Sequence, residues 1–301
     1  MRFGLQLVPN PVEPGINEFD RMRDAAQLAE ELGYDSVWYE DHFMFPLERP
    51  YQPVQLECLA AVAALAASTH RIRLGMLVLG VPYRNPALLA KMLTTIDVIS
   101  HGRVIVGLGA GWHELEFEAY GWPFPTLNER FDRLEEAVQV IDRMMTQTPA
   151  SFEGKYYQVK DALNLPMPVQ KPRPPILIGG NGEKRTLRAV AKYGDMCNVI
   201  VDAEQARHKF EVLRQHCSEV GRPYEQITRS VNYWTVFGRT DAERAAKKER
   251  FPRGVEDLAG IAEKMKAYQA AGTQVIITRI FDGNDLEPIR QFAEAVFPAF
   301  Q

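Results

Sequence analysis

Apolar residues along the chain fall into two alternating rhythms. Short solid runs are followed by longer stretches in which apolar positions recur with helical period. Phe3–Val8 predicts a strand. Glu18–Leu32 predicts a helix whose apolar face carries Phe19, Met22, Ala25, Ala26, Leu28, Ala29 and Leu32, with Gly33 as its stop. The cycle repeats through strands at Ser36–Tyr39, Ile72–Leu79, Arg103–Leu108, Pro175–Ile178, Asn198–Val201, Arg229–Phe237 and Gln274–Ile280. Between and after them the pattern predicts helices at Gln55–Ser68, Pro86–Ile99, Glu129–Met145, Thr186–Tyr193, Ala203–Val220, Asp257–Ala271 and Leu286–Phe297.

Strands buried on both faces read as unbroken apolar runs rather than alternation. Val104-Ile105-Val106, Ile176-Leu177-Ile178 and Val275-Ile276-Ile277 do so. Eight strand–helix pairs predict an α/β fold, a (β/α)8 TIM barrel, as one domain over residues 1–301. Two insertions are expected, at 111–128 after strand four and at 151–174 before strand five; Phe152–Val159 in the second reads as a hairpin. A doubly wound sheet is the structural alternative. It would place a Gly-x-Gly-x-x-Gly turn after strand one, where Pro9-Asn10-Pro11 stands instead.

Composition narrows the function. With 46% hydrophobic and 25% charged residues in 301, the chain has the makings of a sizeable core, which excludes a disordered polymer. A net charge of −4 without a basic stripe argues against nucleic acid and against a polybasic membrane anchor. No apolar run approaches the ~20 residues of a membrane span, and Met1–Val8 is short for a signal peptide. Cys58, Cys197 and Cys217 stand alone, and an odd count suits a reducing compartment, so a cytoplasmic protein is expected.

In this barrel class, chemistry sits where the strands end. Asp41-His42 follows strand two and is the best acid–base candidate, because histidine titrates near neutrality and a neighbouring carboxylate sets its tautomer. His113-Glu114 is weaker, as a loop histidine is usually a surface residue. His70, His101, His208 and His216 fall in helices or connectors and are read as structural. No metal-ligand spacing occurs, so no metal is expected. Gly179-Gly180-Asn181-Gly182 ahead of a helix resembles an anion cradle, with Lys184, Arg185 and Thr186 as further donors; a plain βα turn is the bland reading. Gly107-x-Gly109-x-Gly111 suggests close approach of a flat ligand to the backbone. Trp112, Trp122 and Tyr120 either wall a ring system or simply pack the insertion.

Several blocks in order resemble the bacterial-luciferase-like superfamily of flavin and deazaflavin barrels. They are Gly33-Tyr34-Asp35-Ser36-Val37-Trp38 with Asp41-His42-Phe43, Arg71-Ile72-Arg73-Leu74-Gly75 through Tyr83-Arg84-Asn85-Pro86, and Asp97-Val98-Ile99-Ser100-His101-Gly102-Arg103 with Gly107–Trp112. Asn128-Glu129-Arg130-Phe131, Phe152–Tyr157 and Pro174–Gly180 continue the series, which is diffuse beyond about residue 200.

The chain is most similar to the branch that uses coenzyme F420. Where FMN members tend to carry an arginine for the FMN phosphate, Ala110 stands, although Arg84 or Arg185 could substitute. The resemblance implies a hydride-transferring oxidoreductase acting on a small organic substrate, with His42 and Asp41 catalytic. It places a non-proline cis peptide at Leu77–Val78 behind the ring. Gly109, Ala110, Gly111 and Trp112 would line the ring, and Gly179, Gly180, Asn181, Gly182 and Arg185 would take the anionic tail. An FMN-dependent monooxygenase fed by a reductase and a flavin- or deazaflavin-binding protein without turnover are the alternatives. Phe45 stands near a site aromatic of the sugar-phosphate-oxidising relatives, and Trp112 replaces their strand-four glutamate, which argues against glucose-6-phosphate chemistry. Relatives are commonly dimers, so a homodimer is expected.

Overall fold

The computed structural model describes residues 1–8, 15, 17–45, 55–250, 255–280 and 285–300. Eight parallel strands close on themselves. They are β1 (Arg2–Gln6), β2 (Ser36–Tyr39), β3 (Arg73–Met76), β4 (Val104–Gly109), β5 (Ile176–Gly179), β6 (Met196–Val199), β7 (Thr228–Thr235) and β8 (Val275–Ile280). Each pairs with the next, and β8 returns to β1 with Gly4 opposite Ile277. The doubly wound alternative is thereby excluded.

Around this cylinder run α1 (Glu18–Glu31), α2 (Cys58–Ser68), α3 (Pro86–Ile99), α4 (Leu127–Thr146), α5 (Thr186–Tyr193), α6 (Ala203–Val220), α7 (Leu258–Ala270) and α8 (Glu287–Val296). Polar side chains fix the starts of several. Asn17 accepts from Phe19 N at 3.0 Å and Asp20 N at 3.2 Å, and Asn85 does the same for α3 ahead of Pro86. Asp202 and Gln205 form a capping box on α6. Such a cap contributes about 1 kcal/mol each. Among the described residues no helix is long and apolar enough to cross a membrane.

The barrel interior is a packed plug, not a pore. Trp38, Ile105, Leu177, Met196, Val275 and Ile277 fill it, each at most 3% exposed. Trp38 needs a hole beside it, and Gly75 supplies one: a Cβ there would lie 2.1 Å from the indole. At the opposite end from the site, the turn before β4 is stapled by Arg103. Its guanidinium donates to the Ser100, Ile72, Ala66 and Thr69 carbonyls and to Thr69 Oγ1 at 2.7–2.9 Å.

Boundaries moved where burial overrode local pattern. The strand expected over Ile72–Leu79 breaks at Leu77–Val78, whose peptide is cis, and resumes as the two-residue Leu79–Gly80. The sixth strand starts at Met196, not Asn198, because Met196 and Cys197 are both buried while Ile200 is 49% exposed. The 111–128 insertion holds an unpredicted helix, Glu114–Ala119, and Asp241–Arg250 is a second helix missed for its weak apolar content. The expected hairpin is present as Ala150–Glu153 antiparallel to Gln158–Ala162.

Candidate active site

Where β3 ends, Leu77 and Val78 bulge over the interior plug, and both remain partly accessible. This bulge explains the glycines of β4 and β5. A Cβ on Gly107 would stand 1.8 Å from Met76 O; one on Gly109 would stand 2.7 Å from Val78 Cγ2, and one on Gly179 would stand 2.9 Å from Val78 Cγ1. The expectation that Gly107 and Gly109 make room for a ligand is therefore corrected. Their missing side chains make room for the neighbouring strand, and the strand's apolar bulge forms the floor at the mouth.

His42 leaves the end of β2 with its side chain 19% exposed. Its Nδ1 lies 3.1 Å from Glu116 Oε2. Glu116 sits on the Glu114–Ala119 helix, fully buried, and also accepts from Tyr83 Oη at 2.7 Å, Phe43 N at 2.6 Å and Met44 N at 3.2 Å. Burial resists ionisation of this carboxyl. The His42 hydrogen bond and charge, then the backbone and tyrosine donors, overcome it and hold Glu116 at about 2. Glu116 is thus an anion at neutral pH, so the neutral His42 tautomer carries its proton on Nδ1 and leaves Nε2 as the basic nitrogen. Burial alone would depress His42. The hydrogen bond that Nδ1 donates to Glu116 and the charges of Glu40, Glu116 and Asp41 outweigh it, and its pKa is raised.

The sequence placed Asp41 as the carboxylate partner of His42, and the structure corrects this. Asp41 turns away into a fork with Arg84, at 2.7 and 2.8 Å, and accepts Gly80 N at 3.0 Å. Arg84 also binds Glu57, so its charge is neutralised within the fold and is not available to a phosphate. Asp41 is a positioning residue that ties the end of β2 to the loop after β3. His113, expected at the surface, is 9% exposed and stands 3.3 Å from Glu116 Oε2. Sequence reasoning missed Glu116. The available signal was its place between Leu115 and Phe117 on a short amphipathic segment, which by itself reads as a solvated acid.

Trp112 is 67% exposed and meets His42 edge-on at 5.5 Å between ring centroids, while Phe45 lies 5.6 Å from the same imidazole. Both flank the mouth. Trp122 and Tyr120 stack on each other at 5.2 Å and pack against Phe43, and Trp122 also packs against Tyr83, so they build the insertion rather than a pocket wall. Ala110 is half-buried and packs against the main core. Gly111, at φ 76°, presents its carbonyl to Arg130.

Beyond β5, Gly180 takes φ 132°, a backbone conformation that suits glycine. Its N–H is used by Asn198 O at 3.0 Å. Asn181 turns its amide onto Ile200, accepting from Ile200 N at 2.8 Å and donating to Ile200 O at 3.0 Å. At Gly182 a Cβ would touch Thr186 Oγ1 at 2.8 Å, which keeps the turn tight against the start of α5. Arg185 departs from its expected role. It pairs with Asp132 at 2.7 Å and Glu135 at 3.1 Å on α4, which compensates its charge. His70, His101, His208 and His216 lie outside this region; His208 and His216 contact Glu183.

The site is thus a closed parallel barrel whose mouth has an apolar bulge for a floor and a histidine–glutamate pair at the rim. The chain belongs to the luciferase-like monooxygenase family, whose model matches residues 1–294. It is 34% identical over 236 residues to an F420-dependent glucose-6-phosphate dehydrogenase of Kineococcus radiotolerans, covering 77% of this chain and 68% of that protein. Among solved structures, the fold matches the monooxygenase RslO1 from Streptomyces bottropensis at 24% identity, with a TM-score of 0.84 and full coverage of both chains. It matches an F420-dependent secondary alcohol dehydrogenase, determined with an F420-acetone adduct, at 19% identity and TM-score 0.85, covering 100% of this chain and 99% of that one.

Proposed function

We propose that this protein is a coenzyme F420-dependent oxidoreductase of a small organic substrate, with His42 as the group that exchanges a proton with that substrate. The observation that carries the reading is the His42–Glu116 pair at the rim beside the Leu77–Val78 floor. The curated relative's F420 dependence supports the choice of cofactor. When bound, coenzyme F420 supplies hydride transfer at C5 of its ring. The residues present fit such a group: Leu77 and Val78 offer an apolar bed, and Trp112 and Phe45 flank it. The turn after β5 would take the anionic tail through the backbone N–H groups of Asn181 and Gly182, since that of Gly180 is held by Asn198 O.

The rest is done by the chain's own side chains. Glu116 fixes the His42 ring through Nδ1, which directs Nε2 to the substrate. In substrate oxidation Nε2 accepts the hydroxyl proton as hydride leaves carbon; in reduction the imidazolium returns it. Asp41 and Arg84 hold the backbone that carries His42. The roles of Ala110, Gly111, Asn181 and Arg185 narrow accordingly: Ala110 and Gly111 shape the rim, Asn181 contributes its backbone, and Arg185 holds α4 against α5.

Absorbance and fluorescence titration of the purified protein tests the cofactor. Coenzyme F420 is expected to bind at micromolar strength or tighter, and at least tenfold tighter than FMN. Preferential FMN binding would overturn the assignment.

The His42 geometry predicts a pH profile. Oxidation needs the neutral imidazole, so its kcat rises with pH through the raised pKa of His42, above the ordinary ~6.5. Reduction needs the imidazolium and falls across the same range. A flat profile between pH 5.5 and 8.5 in both directions would remove His42 from the proton path.

Glu116→Gln is expected to do more than delete a charge. Its amide oxygen satisfies Phe43 N and Met44 N, so its NH2 faces His42 Nδ1 and forces the proton onto Nε2. The result is the wrong tautomer, with kcat lowered by about 10²–10⁴-fold and coenzyme binding little changed. Activity within threefold of wild type would show that Glu116 only holds the loop.

A further inference from the structure

Just inside the mouth, beside the His42 segment, lies a polar layer that the proton-transfer reading leaves unused. Glu40 is 4% exposed and accepts three charged or amide donors: Gln6 Nε2 at 3.2 Å, Gln55 Nε2 at 3.2 Å and Arg279 Nη1 at 2.8 Å. A carboxylate accepts only, so it dictates how both glutamine amides face. With Gln6 Nε2 committed to Glu40, Gln6 Oε1 must be an acceptor, and it takes Asn232 Nδ2 at 2.8 Å. The chain of donors therefore runs one way, from Asn232 to Gln6 to Glu40. Reversing either amide would set oxygen against oxygen.

The consequence is two orphan acceptors. Asn232 Oδ1 and Gln55 Oε1 are buried and have no hydrogen-bond partner. Asn232 is itself 5% exposed and lies on β7 opposite Ile277 of the interior plug, so its amide belongs to the layer above that plug. A buried carbonyl without a partner forfeits its hydration for nothing, so such groups are few in folded proteins and each calls for an explanation.

We propose that Asn232 and Gln55 form a hydrogen-bond-acceptor pair that recognises donor groups, O–H or N–H, on the molecule held in the mouth. The hydroxyl of an alcohol or polyol substrate has this chemistry, and so does the imide N–H of the cofactor ring. Ethers, ketones without a hydroxyl and carboxylate anions do not, and the pair disfavours them at this position. The proposal rests on the reading of the mouth as the ligand site given above.

Two variants test it. Asn232→Leu removes the deeper acceptor, and Gln55→Met removes the half-buried one with less risk to folding; melting temperatures report whether each folds. Coenzyme F420 is titrated first into the wild type. If it does not bind, the cofactor reading fails by itself, and FMN, whose ring carries the same imide, becomes the probe for the variants. A tenfold or greater loss of cofactor affinity assigns the pair to the ring imide. Unchanged cofactor affinity with a tenfold or greater rise in KM for an alcohol, taken from a panel that includes isopropanol and glucose 6-phosphate, assigns it to the substrate hydroxyl. The proposal is overturned if folded Gln55→Met and Asn232→Leu match the wild type in both measurements. It is equally overturned if cofactor affinity holds and no compound of the alcohol panel is turned over.

Discussion

Replacing His42 with alanine is expected to lower kcat by about 10²–10⁴-fold while coenzyme F420 still binds within a few-fold of wild type. The split follows from the geometry. His42 stands at the rim, held by Glu116 at 3.1 Å, whereas the floor is made by Leu77 and Val78 and the tail site proposed above lies apart from it, beyond β5. Removing the imidazole leaves those surfaces in place and deletes only the proton carrier. The measurement is steady-state turnover paired with a fluorescence titration of the cofactor. Parallel loss of both quantities would mean that His42 is part of the binding surface. Unchanged turnover would reject a catalytic His42 outright. Addition of free imidazole to the alanine variant should restore part of the lost rate, which a purely structural role would not permit.

Gly107→Ala is expected to destabilise the fold by more than about 3 kcal/mol, well beyond an ordinary overpacking cost. Its Cβ would stand 1.8 Å from Met76 O and 2.9 Å from Met76 C. Those are backbone atoms of the adjacent strand, so no rotamer change relieves the contact. A melting temperature lowered by roughly 6 °C or more is the expected readout. Gly109→Ala offers a contrast, because its Cβ meets the Val78 side chain at 2.7 Å. Adding Val78→Ala should recover most of that loss, and it should do nothing for Gly107→Ala. Gly260→Ala is the control: it lies within α7 with nothing within 4 Å of its Cβ, and a neutral or slightly stabilising effect is expected. Gly107→Ala melting within 2 °C of wild type would show that the strand-three bulge is free to move, and with it the floor proposed for the ring.

The barrel was legible because its signal is additive. Apolar runs such as Val104–Val106 and the stripes on Glu18–Leu32 repeat often enough that no single misreading changes the fold. The errors fell where the local signal is thin. Asp241–Arg250 is a helix with little apolar content, and the sixth strand slipped two residues toward Met196, where burial outweighed the pattern. The cis peptide at Leu77–Val78 was anticipated through family resemblance, not through any property of the two side chains.

The geometry of the candidate site was legible in half. His42 follows directly from its place after β2. Its carboxylate partner does not, because Asp41 and Glu116 are equally plausible acids on paper. Adjacent residues on an extended segment point to opposite sides, so Asp41 faces Arg84 while Glu116, brought back by the strand-four insertion, meets His42. The same holds for Arg185, a natural phosphate donor by position that finds Asp132 and Glu135 on α4.

What the amino-acid order alone decided is the eightfold alternation, and with it the end of the barrel at which chemistry collects. Hydrophobic period is a short-range property, and it is written residue by residue. Which charges meet across that end, which glycines yield space to a strand rather than to a ligand, and which amide oxygens Glu40 leaves without a partner were decided only in three dimensions. Those outcomes depend on contacts between segments far apart in the chain, whose distances no local pattern encodes.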